Sequence, residues 1–201
     1  MLPAMPAAGR TALVARGESA GHARGVLEVL RTEPFDVLRC YLDDDGTFPN
    51  NSDYPVLFCR AVWHSRSRQE GEAAMIANGW TRPWAWGVFP FHHYHSNAWE
   101  ALLCVAGDAE VQLGGPAGPV VAPARGDLLL LPPGVAHRQI RASRDFLLLG
   151  SYPQETPDAD TVRGPPTSRE RQNIMSCPAP RRDPLLGCAG APWGPDLAAL
   201  F

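Results

Sequence analysis

From Trp80 to Tyr152 the hydrophobic positions fall into short runs punctuated by Gly and Pro: WGVFPFHHYH, ALLCVAG, AEVQLGG, PVVAPA, GDLLLLPPG, AHRQIRA and RDFLLLGSY. Runs of about four to eight residues, recurring about every ten, predict an antiparallel sandwich or barrel. Upstream, residues 41–63 carry turn chemistry at Asp45-Gly46 and Pro49-Asn50-Asn51, then an apolar run at 55–63 that reads as a strand. Residues 64–80 read as a helix, charged at the start, Ala-Ala-Met-Ile in the body, and stopped by Asn78-Gly79. Residues 25–33 suit either a short helix or a strand. Residues 1–24 are Gly/Ala/Arg-rich and without period, which predicts poor order. After Pro153 the chain turns polar and proline-rich, with scattered apolar residues such as Ile174-Met175, Leu185-Leu186 and Trp193. This predicts a tail packed across the outside of the barrel, partly disordered. There are no internal repeats. The organisation expected is an N-terminal extension at 1–35, one barrel domain at 36–153 with its helix near 66–78, and a C-terminal tail at 154–201.

Composition supports one domain with appendages: 201 residues, 45% hydrophobic, 21 prolines and 19 glycines. Lys+Arg at 18 against Asp+Glu at 21 gives no electrostatic footprint for nucleic acid or an anionic membrane. No segment reaches the roughly 18 apolar residues of a membrane span. Arg10 interrupts the mildly apolar N-terminus before a signal-peptide core can form, leaving a weak transit peptide or a loosely ordered terminus. The five cysteines, at 40, 59, 104, 177 and 188, are odd in number and lack a CxxC pair. They read as reduced thiols in a cytoplasmic protein. There is no Ser–His–Asp or Cys–His arrangement, no phosphate-cradling loop, no nucleotide fingerprint and no helix-turn-helix.

The candidate chemistry lies in FHHYHSNAWE and PPGVAH. His93 and His95 are two apart, so on a strand they point to one face, while His92 and Tyr94 should face outward. Glu100 follows a short polar break and opens the next run. His137 follows Pro132-Pro133-Gly134 and opens another strand. A barrel would bring His93, His95, Glu100 and His137 together around one divalent ion, Fe, Mn, Ni or Zn. Three neutral imidazoles and one carboxylate leave a net charge of +1, which favours an anionic or enolisable ligand, and leave open coordination positions.

These segments resemble the cupin motifs. The first motif is Gly, five residues, HxH, three or four residues, Glu, six residues, Gly; here it is Gly87, VFPFH, His93-Tyr94-His95, SNAW, Glu100, ALLCVA, Gly107. The second is Gly, five residues, PxG, two residues, His, three residues, Asn; here it is Gly126, DLLLL, Pro132-Pro133-Gly134, VA, His137, RQI, with Arg141 in place of Asn. The motifs cover residues 87–141. DDGTFPNNSDYPVLFCRAVW, NGW, VQLGG and DPLLGCAGAPW are further similar to the bacterial YjlB-like single-domain cupins, a functionally uncharacterised group. The resemblance implies an all-β fold, the double-stranded β-helix or jelly-roll barrel, here with a short helix and irregular terminal extensions. It also implies metal ligands at His93, His95, Glu100 and His137, and a homodimer.

Around this constellation, Phe89 and Phe91 share the parity of His93 and His95 and either wall a pocket or fill core. Gln139 and Arg141 share the parity of His137, and Arg141 is the candidate grip for a substrate carboxylate. Cys104 shares the parity of Glu100 and either approaches the metal or fills core. Trp80, Trp84 and Trp86 either rim a pocket or seal the barrel against the helix, and Asp127 serves a turn. The function expected is an iron(II)-type dioxygenase acting on a small organic acid or enolisable compound, with Glu100 doubling as proton acceptor. The alternatives are a redox-neutral metal-dependent isomerase or lyase, and a non-catalytic metal- or small-molecule-binding protein.

Overall fold

The computed structural model describes residues 25–32, 35–65, 67–185 and 187, with side chains from Val37 onward. The readings of residues 1–24, Leu186, Cys188 and Trp193 lie outside the described residues. Among the described residues ten strands and two helices follow in the order β1 (Gly25–Thr32), β2 (Phe35–Leu42), β3 (Asn51–Arg60), α1 (Arg68–Ala77), β4 (Trp80–Trp86), β5 (Glu100–Ala106), β6 (Ala109–Leu113), β7 (Val120–Val121), β8 (Leu128–Leu131), β9 (His137–Ala142), β10 (Leu147–Pro153) and α2 (Ser168–Ser176). A seven-stranded sheet runs β1-β2-β3-β8-β5-β10-β4, and a three-stranded sheet runs β7-β6-β9. Every pairing is antiparallel. The fold is an antiparallel jelly roll.

The central strands β5 and β8 of the large sheet are buried on both faces, which explains their continuous apolar runs. In β8, Leu129 and Leu131 point into the core that also holds Val111 and Leu113 of the small sheet. Their neighbours Leu128 and Leu130 point to a second core, shared with Met75 of α1, Trp80 and Trp99. The same alternation sorts β5. Leu102 and Cys104 enter the inner core and Ala101, Leu103 and Val105 the outer one. Glu100 has the parity of Leu102 and therefore starts β5 facing inward. Each buried Leu contributes roughly 1.5–3 kcal/mol by leaving water.

Helix α1 covers the outer core. Ser67 caps its N-terminus by accepting from the Glu70 amide, and Asn78 and left-handed Gly79 end it, as the Asn-Gly stop predicts. Of the segment 25–33, residues 25–32 form a strand, and β1 pairs along its length with β2. The expected boundary after residue 35 therefore falls just inside a hairpin. The C-terminal segment contains a helix that the sequence reading lacks. Thr167 and Glu170 close a capping box on α2, but the helix buries none of its residues, so no apolar period betrays it.

The turn at residues 49–51 positions the second half of the site. Asn50 donates to the carbonyls of Asp43 (2.9 Å) and Gly114 (3.0 Å) and accepts from the Ala136 amide (3.1 Å), while Asn51 donates to the Pro133 carbonyl (3.0 Å). Gly134 has φ +89°, and a Cβ there would stand 2.5 Å from the Asn50 carbonyl oxygen. Glycine is thus the residue that lets the PPG turn close on this anchor and deliver His137.

Candidate metal centre

His93 and His95 lie on an extended segment outside the regular strands, a difference from the strand expected there. The segment is fixed by isolated bridges, His93 with His137 and Tyr94 with Val162. The His93 amide donates to the His137 carbonyl at 3.2 Å and the His137 amide returns a bond of 2.9 Å. The predicted parity holds for the two ligand candidates but not for its consequence on the other side. Tyr94 is fully buried against Phe48 and Ala136, and His92 lies half-buried beside Phe48. Both were expected to face outward; the segment after β10 and the 43–50 turn cover that face instead.

His93, His95 and His137 bring ligand atoms within 4.8 Å of one another, and all three are buried. Glu100 joins them, with Oε1 3.4 Å from His95 Nε2 and Oε2 3.2 Å from His137 Nε2. Each Nδ1 faces a backbone carbonyl: His93 that of Phe91 (3.3 Å), His137 that of Val135 (3.1 Å), and His95 that of Asp160. A carbonyl only accepts, so Nδ1 carries the proton and each Nε2 presents a lone pair. His95 Nε2 and Glu100 Oε2 are buried without a hydrogen-bond partner. Lone pairs facing one another repel unless a proton or a cation lies between them. The donor set therefore fits a divalent ion: three imidazoles oriented by their outer nitrogens and one carboxylate.

Without a cation the electrostatics of the histidines diverge. Burial, reinforced by neighbouring His137, pushes His93 down to about 3, keeping it neutral. Burial also opposes a charge on His95, but the Glu100 carboxylate outweighs it and raises its pKa. Glu100 is completely buried, which disfavours its charge, yet His95 and His137 hold it well below the usual carboxylate range. A carboxylate held in its charged form suits ligation of a cation.

The four residues line one side of a cavity of about 190 Å³, whose other walls include Trp84, Val88, Phe89, Leu102, Tyr152 and Thr161. Phe89 stacks on Phe91 and meets His93 edge-on. Phe89 thus walls the cavity, while Phe91 stands one layer back, under the Arg163 guanidinium. The remaining expected contacts are not brought to the cavity. Arg141 is exposed on the outer surface and pairs with Glu110 at 2.8 Å. Gln139 braces the backbone instead, accepting from the Val88 amide at 3.2 Å. Trp80 lies in the outer core, whereas Trp84 and Trp86 line the cavity. Cys104 fills the inner core. Asp127 accepts from the amides of Ala61 (2.8 Å) and Ala124 (3.0 Å), the turn role expected.

Two contributors were missed. Tyr152 donates to Glu100 Oε1 at 3.1 Å. It lies on β10 with the parity of inward-facing Leu148, so strand alternation could have found it. Asp160, whose carbonyl faces His95, sits in an aperiodic stretch that offers no such signal.

A curated relative, the uncharacterised protein YjlB of Bacillus subtilis, is 35% identical over 151 residues, covering 73% of this chain and 88% of its own length. The chain belongs to the cupin superfamily. No family model matches it. Among solved structures, this cupin is similar to a DUF861 family protein of Thermotoga maritima, with 19% identity, 44% of this chain and 94% of that one covered, and a TM-score of 0.31. It is also similar to a deletion mutant of Bacillus subtilis oxalate decarboxylase, with 14% identity, 67% and 29% covered, and a TM-score of 0.32. No helix among the described residues is long and apolar enough to cross a membrane.

Proposed function

We propose that this cupin is a metal-dependent enzyme, an iron(II)-type dioxygenase acting on a small organic acid or enolisable compound. The observation that carries this reading is the convergence of three Nε2 lone pairs and a buried carboxylate on the wall of a small, mostly apolar cavity. At about 190 Å³ the cavity is below the roughly 300–1,000 Å³ of sites for drug-sized ligands, so the substrate is small. A bound redox-active ion would supply Lewis-acid polarisation and an electron-transfer couple.

The chain's own residues do the rest. His93, His95, His137 and Glu100 would hold the ion, and their net charge with a divalent cation, +1, would attract an anionic group. Phe89, Trp84 and Leu102 exclude water and receive the apolar part of the substrate. Tyr152 holds Glu100 by Oε1, which leaves Oε2 free to ligate. The homodimer and cytoplasmic location expected from the sequence belong to the same proposal.

Elemental analysis of the purified protein, followed by oxygen uptake of the iron-loaded protein with a panel of small organic acids, tests it. Uptake coupled to loss of one acid supports the dioxygenase. Turnover without uptake replaces it with a redox-neutral isomerase or lyase, and stoichiometric binding without turnover replaces it with a binding protein.

A further inference from the structure

We propose that Asp160 is a positioning residue for the metal centre: through it the segment after β10 locks His95 in its ligating orientation, so that docking of this segment and metal occupancy stabilise each other. The proposal rests on the metal-binding reading above.

The segment that carries Asp160 does not merely cover the barrel. It is tied, residue by residue, to the stretch that bears the histidine pair. The Tyr94 amide donates to the Val162 carbonyl (3.0 Å) and the Val162 amide to the Tyr94 carbonyl (2.9 Å). His95 Nδ1 faces the Asp160 carbonyl. The Asp160 carboxylate accepts from the Ser96 amide at 2.6 Å and from the Ser96 hydroxyl at 2.5 Å. Asn97 accepts from the Asp160 amide (3.0 Å) and donates to the Asp158 carbonyl (3.0 Å). Asn173 of α2 closes the set by donating to the Ser96 hydroxyl at 3.0 Å.

The chemistry of these bonds is specific to the site. The side chain of Asp160 grips residue 96 while its main chain faces the ring of residue 95. Two anchors one residue apart fix both the position of the carbonyl and the direction of the imidazole. That carbonyl sets the His95 tautomer and turns the Nε2 lone pair inward. The other two histidines take their Nδ1 acceptors from residues two positions back in their own segments, Phe91 and Val135. Only His95 among the three depends on a contact 65 residues away. Thr161, next to Asp160, is part of the cavity wall, so the same docking completes the cavity. A group that binds only the docked arrangement must in turn favour docking.

Zinc is the probe, added to the full-length metal-free protein, with affinity read by competition against a chelating dye. Asp160→Ala lowers zinc affinity by about 10–100-fold, the range for outer-shell partners of metal ligands. Asp160→Asn, which keeps an acceptor for the Ser96 amide, recovers most of it. In the parent, amide hydrogen exchange at residues 93–97 and 158–163 slows on zinc saturation while exchange in α1 does not change. A purely structural Asp160 would lower the unfolding midpoint of the metal-free protein and leave zinc affinity and the exchange response alone, and that result overturns the proposal. If Asp160→Ala does not fold, Asp160→Asn and the exchange of the parent decide. A parent that binds no zinc, or a His93→Ala variant that binds it as tightly as the parent, overturns the metal reading itself and this proposal with it. A parent that binds zinc through His93 with no change in exchange at 158–163 overturns this proposal alone.

Discussion

The Tyr152 hydroxyl donates to Glu100 Oε1 at 3.1 Å, while Glu100 Oε2 is buried with no donor. The two oxygens of one carboxylate are thereby made unequal: one is held by the protein, the other is left for a cation. Tyr152→Phe keeps the ring beside His95 and removes this bond, together with the contact of the hydroxyl with Trp84. Metal affinity should fall by roughly tenfold, since hydrogen bonds to charged groups are worth about 1.5–3 kcal/mol and outer-shell losses cost about 10–100-fold. Titration of the metal-free variant with zinc or manganese measures it. Affinity equal to the parent's would show that Glu100 needs no such hold.

Glu100 and His93 carry the heavier prediction. Glu100→Gln conserves shape but leaves three imidazoles and a neutral amide around a divalent ion. Metal content after purification should drop from about one ion per chain to a small fraction of that, and His93→Ala should do the same. Elemental analysis of each variant is the measurement. Stoichiometric metal in His93→Ala would remove His93 from the ligand set.

The convergence of His93, His95, Glu100 and His137 was legible because strand parity and motif spacing act over short stretches of chain. His93 and His95 two residues apart, and Glu100 sharing the parity of Leu102, need only local geometry. The substrate contacts were less legible. Arg141 follows His137 in the period of β9, but β9 pairs with β6, and Glu110 opposite Arg141 captures its charge at the surface. Parity says which face a side chain takes; it does not say how far along the sheet the cavity extends. Asp160 was invisible for another reason. Its contacts with residues 95–97 span more than 60 positions, and the segment around it has no apolar alternation to announce a packed role.

Acid should destabilise the metal-free protein through His93. Its native pKa is pushed down to about 3 by burial, whereas an unfolded histidine titrates near 6.5. Between those values the unfolded chain takes up a proton that the native site refuses, so stability falls as pH drops from about 6.5 towards 3. Glu100, held low, adds to the loss once pH falls through the carboxylate range. His95, raised by Glu100, acts in the opposite sense, adding stability below about 6.5 that is lost as pH rises through its native pKa. The His93 contribution is isolated by comparing the parent with His93→Asn in urea unfolding at pH 7.5 and 5.0. The variant should lose less stability than the parent over that interval; equal losses would mean that His93 is not held neutral.

Gly150 should tolerate no side chain. It stands opposite Trp84 in the pairing of β10 with β4, and a Cβ there would lie 2.0 Å from the indole ring. Gly150→Ala must push Trp84, a cavity wall, out of place. Overpacking of this kind costs about 1–3 kcal/mol. Both the unfolding midpoint and the near-ultraviolet tryptophan signal should change.

The sharpest test of the fold uses two adjacent leucines of β8. Leu129 points into the core between the sheets and Leu130 into the core beneath α1, and both are fully buried. A strand with one wet face would lose stability on truncation of only one of them. Here Leu129→Ala and Leu130→Ala should each cost about 2–5 kcal/mol in chemical denaturation, because each opens a cavity in a different packed layer. Their partners separate the two losses. Met75→Ala on α1 shares a core with Leu130, and Val111→Ala on β6 shares one with Leu129. Combining Leu130→Ala with Met75→Ala should depart from additivity more than combining Leu130→Ala with Val111→Ala, since residues that share a cavity couple and residues on opposite faces of a sheet do so weakly. A near-neutral Leu130→Ala would mean that α1 and the outer core do not cover that face of β8.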